Sequence, residues 1–233
     1  MHPLTPRPDH DAQAMADLQA AWAPRVEPAD RLGEVRWIAG VDVAYPAHGD
    51  RVFGGIALLD AQSLEVVETV TSSLPDAVPY VPGLLSFREL PPLLACFERL
   101  ARAPDLIVCD GQGVAHPARF GLASHLGVLL DVPTIGCAKS RFVGRHAPLG
   151  PARGDTADLV LDGEVVGRAL RTQDGVKPVY VSVGHRVSLD TAVAWVLRLA
   201  AAYRQPETTR AADHLVRLAA KGEVPVDVVA PGP

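Results

Sequence analysis

The sequence has few of the features that stabilise secreted or membrane proteins. It contains three cysteines among 233 residues, Cys96, Cys109 and Cys137. An odd, widely spaced set in apolar surroundings argues against a disulfide framework or a cysteine-based zinc site. No apolar run approaches the about 18 residues that a membrane span needs, and the N-terminal MHPLTPRPDHD has no apolar signal core. We therefore expect a cytoplasmic protein without a membrane partner.

An excess of positive charge is also missing. The net charge is −5 and the isoelectric point is about 5.9, whereas nucleic-acid-binding proteins usually carry a basic surface. The distribution is uneven, however, because residues 132–154 contain basic residues and no acid. Either one side of the molecule is basic or these residues form a solvated loop. The basic residues are Lys139, Arg141, Arg145 and Arg153.

The sequence does contain enough apolar residues, 48% of the total, to form a buried core. We predict one α/β domain over residues 1–233. Apolar and alternating runs at 36–45, 52–59 and 64–71 predict an antiparallel meander. Strand and helix patterns then alternate at 106–110, 119–130 and 134–138, which is typical of parallel crossover units. The predicted fold is a central mixed sheet, a meander continuing into parallel strands, flanked by helices. We expect the tail, 222–233, to be flexible.

Turn and cap residues mark several element ends. Asp9 is placed to cap a first helix, and Ser86 to cap a helix over 86–102 with Glu89 at the capping-box spacing. Asp162-Gly163 predicts a hairpin turn. Ser188 is placed to cap a further helix.

Several common catalytic motifs are absent. Gly111-Gln112-Gly113 opens like a dinucleotide-binding fingerprint, but His116 stands where the third glycine is needed. The chain has no phosphate-binding P-loop, no G-x-S-x-G nucleophile turn and no H-E-x-x-H zinc motif. A nucleotide-binding α/β protein that uses the 111–113 loop stays an open alternative.

Two aspartates are unusual for their positions. Asp42 lies inside the apolar strand IAGVDVAY, and Asp110 ends the strand LIVCD. A buried carboxylate needs a partner, so each is either a satisfied structural acid or part of a site at the strand ends. Together with a third acid they could bind Mg²⁺ beside a phosphate. Lys139 would then add a positive charge there, unless it is an exposed loop lysine.

The segment PYVPG, residues 79–83, is stiffened by two prolines around Tyr80. Such a loop either packs its tyrosine on the core or presents a wedge that enters a base stack.

At this point the residues resemble a known family, endonuclease V, which has the ribonuclease H-like fold. The matching segments span about 38–210 and follow the family's order. They are IAGVDVAY, PYVPGLLSFRE, LIVCDGQGVAHPARFGLASHLGVLLDVPTIGCAKSR, GHRVSLDTAVAWV and YRQPETTR.

The resemblance implies a role for each site residue. Asp42, Asp110 and Glu89 would bind catalytic Mg²⁺, with Mn²⁺ as a substitute. Lys139 would contact the phosphate at the cut, and His214 would assist at a second metal or at the substrate. Pro79, Tyr80, Val81 and Pro82 would form the wedge. The pocket for the extruded base would be lined by Gly83, Leu85, Gly111, Gly113, His116, Leu122 and Phe142.

The resemblance further implies a monomeric enzyme that acts on DNA containing deoxyinosine. It would hydrolyse the second phosphodiester bond 3′ to the lesion, leaving 3′-hydroxyl and 5′-phosphate ends. A ribonuclease specific for inosine-containing RNA, or another ribonuclease H-like nuclease, is the alternative. A catalytically silent DNA-binding module is disfavoured because Asp42, Glu89, Asp110 and Lys139 are all retained.

Overall fold

The computed structural model describes residues 11–46, 50–76 and 80–228. Its helices are α1 Ala12–Trp22, α2 Leu85–Phe97, α3 Leu122–Leu130, α4 Leu189–Leu199 and α5 Glu207–Lys221. Its strands are β1 Trp37–Ala44, β2 Arg51–Asp60, β3 Val66–Pro75, β4 Leu106–Cys109, β5 Thr134–Ala138, β6 Thr156–Leu161, β7 Glu164–Leu170, β8 Val179–His185 and β9 Asp227–Val228. Among the described residues no helix has the length and apolarity to cross a bilayer.

The strands form one mixed sheet in the order β6-β7-β8-β5-β4-β1-β2-β3-β9. β1, β2 and β3 are the antiparallel meander. β4 lies parallel to β1, and β5 lies parallel to β4. The predicted α/β architecture, a meander that continues into parallel strands, is therefore confirmed.

Side-chain alternation divides the central strands between two helical layers, since successive residues of a strand face opposite sides. Ile38, Leu106 and Ile135 belong to the core cluster that includes α4. Their neighbours Ala39 and Ile107 belong to the cluster of α2 and α3. The sheet is thus covered on both faces, which explains the continuous apolar runs of β4 and β5.

Two adjacent glycines of β2 let helices press on both faces at one point. A β-carbon on Gly54 would lie 2.8 Å from the Pro92 backbone in α2. One on Gly55 would lie 2.5 Å from Val216 Cγ1 in α5. A β-carbon on Gly54 would press on the backbone of α2, and one on Gly55 would displace the Val216 side chain.

Local signals predicted some element ends correctly and others wrongly. Asp162 and Gly163 both have positive φ, 53° and 84°, in the β6–β7 turn, as a hairpin of this kind requires. Ser188 caps α4 by accepting from the Thr191 N–H. Asp9 lies outside the described residues, and α1 is capped instead by Asp11, which accepts from the Ala14 N–H.

Ser86 also differs from the prediction. Ser86 is not a cap: it lies inside α2, which begins at Leu85, and its Oγ bonds His125 Nδ1 at 3.1 Å.

In the tail, Asp227–Val228 pairs with β3 at the edge of the sheet. Residues 229–233 lie outside the described residues, and the flexibility of the tail stays a prediction.

Candidate active site

Neighbouring parallel strands bring the first site residues together. β1 and β4 pair Val41 with Cys109, so the next residues, Asp42 and Asp110, lie side by side. β5 pairs with β4 in the same direction, and Lys139 follows its last residue. The carboxyl ends of parallel strands are where ligand sites form in α/β sheets.

Lys139 and Asp110 form an ion pair, with 2.5 Å between Nζ and Oδ2. Lys139 Nζ is also 3.8 Å from Asp213 Oδ1 on α5. Burial alone would lower the pKa of Lys139, but the hydrogen bond to Asp110 and the charges of Asp110, Asp42 and Asp213 together outweigh it, and the pKa is raised. Lys139 is exposed, as a loop lysine would be, but it is a cation held at the strand ends by its ion pair.

Two further acids are held close to Asp110. Burial, followed by the charge of Asp110, raises the pKa of Asp42 to about 7. Burial and then the charges of Asp42 and Asp110 raise the pKa of Glu89, on α2, to about 8. When they are ionised, Asp42, Asp110 and Glu89 carry more negative charge than the cation of Lys139 offsets. Such a site attracts a further cation.

Residues around Glu89 fix its position. The Tyr45 hydroxyl donates to Glu89 Oε1 at 3.4 Å. Arg88, the preceding residue, pairs with Asp76 through two nitrogens and lies 4.3 Å from the centre of the Tyr45 ring. Neither Tyr45 nor Arg88 was singled out from the sequence.

The donor set suits a hard divalent cation. Among residues 11–46, 50–76 and 80–228, no three His, Cys, Asp or Glu side chains are grouped so as to hold a metal ion by themselves. Mg²⁺ does not need such a cage, because it keeps several waters and binds through one or two carboxylates plus substrate phosphate. Asp42 and Asp110, adjacent and electrostatically coupled, are such a pair.

The proline-flanked loop presents its tyrosine to solvent. Tyr80 is 63% exposed, so the interpretation in which it packs on the core is wrong. The Leu84 N–H donates to the Val81 carbonyl at 2.9 Å, and Gly83 has φ +85°, which allows the tight exit. Val81 is half-buried and Pro82 exposed. Pro79 lies outside the described residues.

Residues predicted for a base pocket gather beside this loop. The His116 ring lies 5.4 Å from the exposed Phe142 ring. Gly111 faces the Leu122 side chain, 3.6 Å from where its β-carbon would be. Leu85 is 37% exposed at the start of α2.

Gly113 has a different environment from the other pocket residues. It is buried against β8, where a β-carbon would clash with the Val183 carbonyl, and its N–H donates to Ser182 Oγ at 2.9 Å. Its glycine identity is therefore explained by packing.

On the last helix the structure brings Asp213 to the cluster. His214 is exposed, while Asp213 contacts Lys139. α5 lies directly on the sheet there, because a β-carbon on Gly40 would sit 2.0 Å from the Thr208 carbonyl oxygen.

Arg204 is another residue that the sequence did not single out. Its guanidinium donates to the carbonyls of Lys139, Lys177 and Pro178 at 2.6, 2.9 and 2.8 Å. It therefore fixes the backbone that carries Lys139.

Known proteins resemble this chain over most of its length. The sequence model of the Endonuclease V family matches residues 20–214. The chain is 51% identical over 216 residues to the Endonuclease V of Streptomyces avermitilis, covering 93% of this chain and 94% of that protein.

Solved structures agree as well. The crystal structure of the Streptomyces avermitilis protein superposes with a TM-score of 0.87 at 50% identity, covering 91% of this chain and 94% of the other. A variant of Ciona intestinalis Endonuclease V, in complex with DNA containing an inosine followed by a ribo-adenosine, superposes with a TM-score of 0.81 at 26% identity, covering 91% and 99% of the two chains. The resemblance drawn from the motifs is thus confirmed, and the chain belongs to the endonuclease V family.

Proposed function

We propose that this chain is a divalent-cation-dependent DNA repair endonuclease that recognises deoxyinosine. It hydrolyses the second phosphodiester bond 3′ to the lesion and leaves 3′-hydroxyl and 5′-phosphate ends. The observation that carries the proposal is the convergence of Asp42, Asp110 and Lys139 at three neighbouring strand ends. Family membership and the inosine-containing DNA bound by the Ciona intestinalis relative support the substrate.

The cluster supplies the groups that phosphodiester hydrolysis needs. Asp42 and Asp110 would hold Mg²⁺, with Mn²⁺ as a substitute and Glu89 as the third carboxylate, directly or through water. A bound Mg²⁺ activates water and screens the negative charge of the phosphodiester. Lys139, held by Asp110, places a positive charge beside the phosphate under attack.

The loop and pocket supply recognition. Tyr80 is exposed and would enter the base stack, at a cost of a few kcal/mol of unstacking. The extruded hypoxanthine presents a carbonyl and a ring N–H where adenine has an amino group. A closed pocket rejects adenine because the mismatch leaves buried polar groups unpaired. We also propose that the chain acts as a monomer.

A nicking assay tests the proposal. A labelled strand with one deoxyinosine is incubated with Mg²⁺ and then with EDTA, beside an adenine strand and the matching inosine-containing RNA. We expect cutting one nucleotide beyond the lesion only in DNA with inosine and Mg²⁺, and its loss in Asp42→Ala. Glu34→Gln, which changes an exposed acid that lies before β1 and outside the motif segments, is the control and should cut normally.

Other outcomes redirect the assignment. Cutting of the inosine RNA alone would make the chain a ribonuclease. Cutting that persists in EDTA or in Asp42→Ala would reject the metal-dependent carboxylate mechanism.

A further inference from the structure

Gln19 is a buried polar residue to which the catalytic assignment gives no role. It lies in α1, one residue before the range that the family model matches, and is 3% exposed. Its Nε2 donates to the Gly83 carbonyl at 2.9 Å and to the Phe120 carbonyl at 3.1 Å. These acceptors stand 64 and 101 positions further along the chain. One side-chain amide thus joins three separate parts of the sequence.

Both acceptors belong to elements around the candidate pocket. Gly83 ends the loop that presents Tyr80 and lies just before Leu85, where α2 begins. Phe120 is followed by Gly121, the N-cap of α3, and then by Leu122, the residue that faces Gly111. The amide therefore links the loop that presents Tyr80, here called the wedge loop, to the start of α3, which carries Leu122 in the wall of the candidate pocket.

A second side chain lies against Gly83. The His116 ring atoms Cε1 and Nε2 are 3.9 Å from where a β-carbon of Gly83 would be. Burial lowers the pKa of His116 to about 4, so the ring is neutral at pH 7, and its Nδ1 accepts from the Ala118 N–H at 3.2 Å. Gly83 is therefore contacted by α1 on one side and by the loop after β4 on the other.

Apolar packing strengthens the link to α1. Met15 packs with Leu84 and Phe87 in a small core cluster of its own. The base of the wedge loop is thus tied down by packing and by the hydrogen bond from Gln19, while Tyr80 at its tip stays exposed. A loop ordered before binding loses less conformational entropy when DNA arrives.

We propose that Gln19 is a positioning residue for lesion recognition: it fixes the base of the Tyr80 loop against the wall of the base pocket. This inference rests on the proposed function, in which the loop enters the base stack and the pocket takes the extruded base. Gln19 itself does not touch the substrate. Its loss weakens binding of the lesion more than it slows the chemical step at Asp42 and Asp110.

The first test needs no substrate. Gln19→Met keeps the length of the side chain but removes the N–H donors. Gln13→Met is the matched control, because Gln13 is an exposed glutamine of the same helix that bonds only its neighbour Asp17 among the described contacts. Hydrogen–deuterium exchange should become about tenfold faster in peptides covering 80–87 and 116–123, the size expected for loss of one net hydrogen bond. Unchanged exchange there would overturn the proposal.

The second test separates positioning from a merely structural role. Steady-state nicking of a deoxyinosine strand should show KM raised about tenfold in Gln19→Met while kcat changes less than threefold. Gln13→Met should match the unaltered protein in both. A fall in kcat with unchanged KM, or a lower melting temperature as the sole effect, would contradict the proposal.

The two tests distinguish a failure of the proposed function from a failure of the proposal for Gln19. If the unaltered protein does not nick inosine strands, the proposed function fails, and the exchange measurement alone decides whether Gln19 holds the loop. If Gln19→Met does not fold, Gln19→Asn replaces it. The shorter amide reaches one carbonyl at most and should give the same pattern at smaller size, and normal exchange in that variant would overturn the proposal.

Discussion

Asp110 and Tyr80 serve the same candidate site, yet the chain holds them by different means. The Asp110 side chain is 12% exposed and lies at the end of a buried parallel strand, paired with Lys139. Tyr80 is 63% exposed on a loop whose base is hydrogen-bonded by Gln19 and lies against His116. The catalytic region is thus set by strand register, and the recognition region by contacts between distant parts of the chain. Substitutions in the two regions should therefore affect different kinetic constants.

The largest expected effect is in the strand-end region. Asp110→Asn removes the charge that pairs with Lys139 and would help to hold the metal. We expect kcat for deoxyinosine DNA to fall by about 10²–10³-fold, the cost of losing one preorganised electrostatic group, with KM nearly unchanged. Asp162→Asn, in the β6–β7 turn, is an isosteric control that should leave kcat unaltered. A large rise in KM for Asp110→Asn would show that the strand-end region acts in substrate binding as well, and the proposed division between the two regions would be wrong.

Arg204 tests whether the same region depends on backbone placement. Arg204→Lys keeps the charge but loses the planar guanidinium, whose Nε and Nη2 reach the three carbonyls from two separate atoms. We expect kcat to fall about tenfold, because small displacements of a catalytic group are costly. Single-turnover nicking measures this. A lower melting temperature with a normal rate would show that Arg204 serves stability alone.

The recognition region should respond in KM. Tyr80→Ala removes the exposed ring, and we expect KM to rise about tenfold, within the range that one base–aromatic contact contributes. Stability should change by less than about 0.5 kcal/mol, as is usual for exposed residues. Tyr203→Ala, another exposed tyrosine, is the control and should leave KM unchanged. Equal effects of the two substitutions would remove the case for a wedge.

The smallest expected effect is on stability without metal. The folded-state pKa of Glu89 is raised to about 8 and that of Asp42 to about 7. The folded protein therefore binds more protons than the unfolded chain below these values, and stability falls as pH rises towards 8. The pKa of His116 is lowered to about 4, so this residue makes stability rise with pH. Its contribution no longer changes above about pH 6.5, where the histidine is neutral in the unfolded chain as well.

Melting in EDTA between pH 6.5 and 8.5 measures this effect. We expect the melting temperature to fall by about 2 °C or more, and Mg²⁺ to recover it. Glu89→Gln, which cannot ionise, should flatten the dependence. A melting temperature that rises over this range in EDTA would contradict the raised pKa values.

The strand-end residues were accessible from sequence because their signals are local. An acid inside IAGVDVAY and an acid ending LIVCD are visible as departures from apolar strands, and strand direction then places them together. The periodicity of the last helix separates His214 from Asp213. The buried face of α5 includes Ala212, Leu215, Val216 and Ala219. At about 100° per residue, His214 lies on the side of α5 opposite this buried face, and Asp213 lies at its flank.

Other residues had either a misleading local signal or none. Ser86 has the spacing of a helix cap, but its partner is His125 on another helix. The partners of Gln19 and Arg204 are carbonyl groups of distant residues. Carbonyls are the same in every residue type, so no sequence pattern marks them as acceptors.

The two glycines of β2 have a consequence for the spacing of the acids. Glu89 and Asp213 each lie three positions before the residue of their helix that meets a glycine, Pro92 in α2 and Val216 in α5, so acid and contact share one helix face. At that point β2 places peptide backbone and no side chain of its own between the two helices. The dimensions of a peptide unit do not vary with sequence. A side chain at Gly54 or Gly55 would therefore shift the contact that positions Glu89 or Asp213.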